Sequence, residues 1–272
     1  TALECVNYFR ITFARIQTVE AFETAFSCLK DVVKDDPSYA DGWVALAQIM
    51  GLGYANYSAV SFEELNIALN AVDRALEIDP SFPLAHSTKA KILFYQKDWS
   101  GMFQSDEEAV NLAPNDSRIA AQLAANFLWG GSCTRTEILD INAPPGTYAS
   151  GGCRWQTGVE EGERAHILDK GNIDPFENYA LAIHYIVKEE FEKVIKIMSM
   201  VPAPGFFWWD LYVGTAHDGL GNSRKAKERF DSIKVGAKNN KLEAIKTRFD
   251  FWNVLMTYYP TFEPYLIKYG FN

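Results

Sequence analysis

Residues 61–114 read SFEELNIALN AVDRALEIDP SFPLAHSTKA KILFYQKDWS GMFQSDEEAV NLAP, and the fold is decided there. Ser61-Phe62-Glu63-Glu64 has the form of a capping box, in which the Ser hydroxyl meets an orphan amide and Glu64 reaches back. Leu65, Leu69, Val72 and Leu76 then recur at helical spacing, with the small residues Ala68 and Ala75 beside them. Pro80 stops the helix because it lacks an N–H and crowds the preceding turn. A similar ending, Asn111-Leu112-Ala113-Pro114, follows 34 residues after Pro80. A third, Lys34-Asp35-Asp36-Pro37, precedes Pro80 by 43 residues, the excess fitting around Tyr54 to Val60. Sustained period-two alternation is missing, so the pattern predicts helices rather than a sheet.

Working outward, Trp43-x-x-Leu46-Ala47 leads into Ala68, Val72, Ala75 and Pro80, and this resembles the tetratricopeptide pattern with a widened turn. Ala90, Ala109 and Pro114 mark the next unit, where Asp106 stands at a place that is usually apolar. Leu123-Ala124 and Phe127 open a fourth. A fifth runs from Pro175 through Leu181, Ala182, Tyr185 and Phe191, and a later one carries Gly214, Gly221-Asn222, Ala226 and Phe230. The resemblance implies an all-α, right-handed, tetratricopeptide-like solenoid of about six helix pairs. The expected layout is a single domain over 1–272 with an insertion at 132–153 and a C-terminal cap at 242–272. In the cap, Ile245, Phe249, Trp252 and Leu255 form a stripe. Tyr258-Tyr259-Pro260 is expected to break that helix, with a short final one from Pro264 to Tyr269.

A narrower likeness rests on Glu4-Cys5 with Cys28-Leu29, on Asp36-Pro37-Ser38-Tyr39-Ala40-Asp41-Gly42-Trp43, and on Pro204-Gly205-Phe206-Phe207-Trp208. These resemble a bacterial subgroup whose tetratricopeptide module sits behind one membrane span. The cytoplasmic part there is a winged-helix regulator or a class III nucleotide cyclase. The likeness implies a periplasmic or extracytoplasmic sensory module, with a cytoplasmic scaffold as the alternative. Because the chain opens at Thr1 without Met, it is expected to be a fragment or a processed chain.

With 48% apolar residues the chain can bury a substantial core, which excludes disorder. Its formal charge of −9, with no Lys/Arg block, argues against nucleic acid as a direct partner. Trp43 to Gly53, the longest near-apolar stretch, is too short to span a bilayer. Cys133 and Cys153 bracket the insertion, while Cys5 and Cys28 fall on the two helices of the first unit. Both pairs can close by geometry, pointing to an oxidising compartment, and free buried thiols are the alternative for each. The insertion carries Pro144-Pro145 and the apolar Ile138, Leu139, Ile141 and Tyr148, and is expected to contribute to a binding or assembly surface, with a neutral surface insertion as the alternative.

Chemistry-bearing motifs are scarce. His86, His166, His184 and His217 form no HExxH or HxH pair. No phosphate-binding glycine loop or nucleophile elbow occurs. Glu160-Glu161-x-Glu163 with Arg164 reads as a solvated helix face. No catalytic residue, metal or cofactor is therefore expected, although an enzyme with residues Thr134 to Ser150 as a lid is a rival reading. A helical-pair solenoid binds on the surface lined by the first helix of each pair. By spacing, the candidates are Val44, Gln48, Ser87, Lys91, Phe94, Tyr179, Ile183, Trp208, Leu211 and Thr215. The expected partner is a protein, a peptide or a small ligand in that groove, and a homo-oligomer is compatible with it. Phe206-Phe207-Trp208-Trp209 reads first as the apolar start of a helix, and alternatively as a partner anchor.

Overall fold

The computed structural model describes residues 1–13, 19–57, 59–129, 155–169, 175–237, 241–251 and 255–272. The excursion 132–153, with Cys133 and Cys153, and the cap residue Trp252 lie outside the described residues. Secondary structure among the described residues is entirely helical. In order, the helices are α1 (Ala2–Asn7, continued by π-type turns over Tyr8–Phe13), α2 (Val19–Asp35), α3 (Ala40–Leu52), α4 (Leu65–Ile78), α5 (Pro83–Tyr95), α6 (Trp99–Leu112) and α7 (Ser117–Trp129). They are followed by α8 (Trp155–Asp169), α9 (Pro175–Val187), α10 (Phe191–Met198), α11 (Phe207–Gly219), α12 (Ser223–Ala237), α13 (Leu242–Phe251) and α14 (Leu255–Lys268). Successive helices pack as pairs, α3 on α4, α5 on α6, α7 on α8, α9 on α10 and α11 on α12. Two compact units result, residues 1–115 and 116–272.

The first unit shows how sequence sets each junction. Asp36-Pro37-Ser38 and Asp79-Pro80-Ser81 fold alike: Ser38 N–H donates to Asp36 Oδ1 at 3.1 Å, and Ser81 N–H to Asp79 Oδ1 at 3.0 Å. These carboxylates give the departing chain a local partner just where Pro has ended the helix. Trp43 Nε1 donates to the Pro37 carbonyl at 3.0 Å, and His86 Nε2 lies 2.9 Å from the Pro80 carbonyl. His86 thus takes the tryptophan's structural place in the next repeat. Ser61 and Glu64 form the capping box, with Ser61 N–H 2.8 Å from Glu64 Oε2. Regular helix nevertheless starts at Leu65, after one tight turn. The buried stripe of α4 is Leu65, Ala68, Ala71, Val72 and Ala75. Leu69 and Leu76, expected on that stripe, are half-buried at its edge. Asp106 is buried, 1% exposed, at the position where the repeat is usually apolar.

The turns within three of the pairs, α5–α6, α9–α10 and α11–α12, repeat one motif. Lys97, Glu189 and Gly221 have φ of 61°, 58° and 75°. In each turn, that residue's N–H donates three residues back, and the following N–H donates five back: Asp98 to Leu93 at 3.0 Å, Glu190 to Tyr185 at 2.8 Å and Asn222 to His217 at 2.8 Å. These are Schellman caps, which want glycine at the left-handed position. Lys97 and Glu189 are exposed and carry a Cβ penalty there. Replacing either with Gly should raise stability by about 0.5–1 kcal/mol, since strain relief exceeds the entropy Gly adds to the unfolded chain. Urea unfolding checks this, and a loss of stability would contradict it.

Helices approach closely in the second unit where the repeat has small residues. A Cβ on Gly214 would meet the Arg229 Cβ and the Phe230 ring, each at 3.1 Å. Asp210, fully buried at the start of α11, accepts from Gly205 N–H at 2.9 Å, Ser232 Oγ at 2.7 Å and Arg229 at 3.1 Å. One carboxylate therefore ties the preceding turn, α11 and α12 together.

The cap departs from expectation at its prolines. Leu255–Lys268 is one helix with Pro260 and Pro264 inside it, not a break followed by a short helix. An interior proline removes a hydrogen bond and crowds the carbonyl four residues back, costing about 3 kcal/mol. Burial overrides this: Tyr258, Phe262 and Leu266 are 1%, 0% and 0% exposed. Each such side chain contributes about 1.5–3 kcal/mol when buried. Ile245 and Phe249, the described members of the expected stripe on α13, are also fully buried.

Candidate functional site

In the first unit, the leading helices α3 and α5 meet through Gln48 Nε2, which donates to Thr88 Oγ1 at 3.2 Å. Val44, Ser87 and Phe94 are buried between helices, whereas Gln48 keeps part of its surface. Lys91 packs its ammonium 5.3 Å from the Phe94 ring centroid and 5.5 Å from that of Tyr95, out of contact with solvent. A desolvated cation is well placed over two ring faces. Tyr95 continues this aromatic group to Tyr54 at 5.5 Å, and Tyr54 to Phe62 at 6.3 Å. Burial pushes the Tyr95 hydroxyl well above its ordinary pKa. Phe62 ends the series with 48% of its surface exposed. The spacing argument selected the leading-helix face but missed this ledge, because Tyr54 and Phe62 lie in the widened turn outside the repeat pattern.

At the first helix pair, Cys5 on α1 and Cys28 on α2 are joined as a disulfide with Cα atoms 5.7 Å apart. Arg10, just beyond α1, holds Asp41 on α3 in a bidentate pair at 2.6 and 2.9 Å.

The second unit buries most of the remaining candidates. Tyr179 packs against Phe206 and Tyr212, with ring centroids 5.6 and 6.0 Å away. Ile183, Leu211 and Thr215 are fully buried. Trp208 keeps part of its surface and packs edge-on against Phe249 of α13 at 5.0 Å. One turn beyond Thr215, Asp218 accepts from Lys268 Nζ at 2.8 Å and from the Tyr269 hydroxyl at 2.5 Å. Leu128, Tyr212 and Asp218 belong to this face but were not singled out from sequence. Asp218 was reachable by continuing the Leu211-Thr215 spacing one turn further. The aromatic run 206–209 is mainly internal packing: Phe207 lies under Arg248 at 4.9 Å, and Trp209 Nε1 donates to the Met198 carbonyl at 3.1 Å. Phe206 alone of the four is exposed, at 46%.

His184 and the acidic cluster's Glu161 have structural partners. Glu161 pairs with Arg164 on the same helix, with Arg164 Nε donating at 2.9 Å. Trp155 Nε1 can only donate, so His184 Nδ1 accepts from it, at 3.1 Å, and the ring's proton sits on Nε2. Burial, with Lys188 adding repulsion, pushes the His184 pKa down from 6.5 to about 4. A histidine held neutral in the fold contributes stability that is whole above pH 6.5 and is lost as pH falls towards 4, because the unfolded chain takes up the proton first. Discounted for the ring's partial exposure, the loss should be about 2 kcal/mol. Urea unfolding between pH 7 and 4 measures it, and His184→Gln should flatten that part of the profile. Identical profiles would contradict the assignment. Among the described residues no group of three His, Cys, Asp or Glu side chains could hold a metal ion. None of the described helices is long and apolar enough to cross a membrane.

No protein-family model and no curated protein matches the chain. Solved structures do. PilF of Pseudomonas aeruginosa superposes with a TM-score of 0.54 at 17% identity, over 92% of this chain and 99% of that one. A tetratricopeptide repeat protein from Parabacteroides merdae gives 0.44 at 10% identity, over 100% of this chain and 99% of that one. YrrB, a tetratricopeptide protein with a peptide-binding site, gives 0.42 at 14% identity, over 81% and 97%. The first superposition and the chain's own repeated pairs and turns give it the all-α tetratricopeptide-like fold.

Proposed function

We propose that this chain is a non-catalytic module that binds a protein or peptide at the aromatic ledge in the turn between α3 and α4 of its first unit. The parent would be a membrane-anchored bacterial signalling protein, with this module outside the cytoplasm. The observation behind the binding reading is the ledge where Tyr54 supports Phe62 and leaves it 48% exposed. Half-exposed aromatics on a rigid support are the residues that dominate interface energetics. The Cys5–Cys28 bond supports an oxidising compartment. A bound partner would shift a conformational or oligomeric equilibrium only as far as it binds the two states differently.

The test is Phe62→Asp in the full-length protein, with circular dichroism confirming an unchanged fold. The reading expects signalling output to fall at least tenfold and a non-reducing mass to show Cys5 bonded to Cys28. Unchanged output would remove the binding assignment. Free thiols at both positions in protein from its native compartment would favour a cytoplasmic scaffold instead.

A further inference from the structure

Helix α14 is laid across the second unit rather than only closing its end. The Tyr258 hydroxyl donates to the Leu128 carbonyl at the end of α7, and its ring lies 5.6 Å from Trp155 at the start of α8. Phe262 stacks on Tyr212 of α11 at 5.6 Å with planes 11° apart. Just past α14, Tyr269 stacks on Phe230 of α12 at 4.5 Å, while Lys268 and Tyr269 both hold Asp218. One helix thus presents Tyr258, Phe262 and Leu266 at four-residue spacing to the repeat helices and ends in a basic-aromatic pair on a carboxylate. This is how an amphipathic helix seats in a groove.

The same helix is poorly suited to stand alone. Pro260 and Pro264 lie inside it, so its helical form depends on being docked. Undocking releases both that strain and the segment's conformational entropy, which lowers the barrier to local opening relative to the buried area involved.

We propose that the surface of the second unit formed by the α7–α8 and α11–α12 pairs is a helix-binding site and that α14 is its resident ligand. A partner helix with an aromatic-x3-aromatic-x3-aliphatic stripe and a following basic-aromatic pair exchanges with it in trans. The proposal concerns a different unit from the Phe62 ledge and does not depend on it.

The probe is a fluorescein-labelled peptide of residues 255–272 added to the full chain. Lys268→Ala with Tyr269→Phe weakens only the resident copy's hold on Asp218. The double variant should bind the peptide at least tenfold more tightly than the unaltered chain. No binding by either form, or equal binding by both, overturns the proposal. Should the double variant fail to fold, native-state hydrogen exchange on the unaltered chain decides. Amides of α14 should exchange at least tenfold faster than those of α11, whereas equal protection would make α14 a permanent part of the core and overturn it.

Discussion

A chain ending at Lys241 is expected to aggregate, to bind a hydrophobic dye and to lose cooperative unfolding of its second unit. The truncation removes Phe249, Tyr258, Phe262 and Leu266, all at most 1% exposed. Their burial is worth about 1.5–3 kcal/mol each, a gross sum of about 8 kcal/mol. Part is offset by the ordering entropy of the removed segment, but whole domains are stable by only about 5–15 kcal/mol. The truncation also uncovers Tyr212 and Phe230, which stack on Phe262 and Tyr269, and repeat arrays with an open apolar face are insoluble. Size-exclusion chromatography and thermal unfolding report the result. A monomeric truncated chain with unchanged Tm would show the cap to be dispensable.

Asp210→Ala is expected to cost about 3 kcal/mol, among the largest effects of any single substitution here. The carboxylate is 0% exposed and receives three donors, from Gly205, Ser232 and Arg229. Alanine leaves the Gly205 N–H and the Ser232 hydroxyl without that acceptor. It also leaves Arg229, 26% exposed, with its charge uncompensated. Asp210→Asn keeps an acceptor oxygen and the volume, so it should cost less, about 1–2 kcal/mol. Denaturant unfolding of both variants checks the order, and two small equal losses would mean that the network is not what joins α11 to α12.

What was legible in the sequence follows from how local each cause is. Pro37, Pro80 and Pro114 end helices by their own covalent structure, so the repeat could be counted from them. Ala68, Ala90, Gly214 and Ala226 marked close helix contacts because only small side chains fit there. The Schellman turns at Lys97 and Glu189 were hidden, since neither carries the glycine by which such turns are recognised. The course of α14 was misread because Pro260 and Pro264 argue locally for a break, while the opposing cause, burial against Tyr212 and Leu128, comes from far along the chain. The candidate site shows the same division. Helical spacing put the candidates on the leading helices, but spacing is silent on what covers them. Val44, Ser87, Leu211 and Thr215 therefore proved to be interior residues, and the exposed Phe62 lay in an irregular turn.

The chain's own C-terminal helix lies across the repeat helices of the second unit. The most direct measurement is an aromatic NOE spectrum of the intact chain in solution. Cross-peaks are expected between Phe262 and Tyr212, between Tyr258 and Trp155, and between Tyr269 and Phe230, whose ring centroids are 5.6, 5.6 and 4.5 Å apart. Absence of all three, with Tyr258 and Phe262 resonating as in an unfolded peptide, would contradict it.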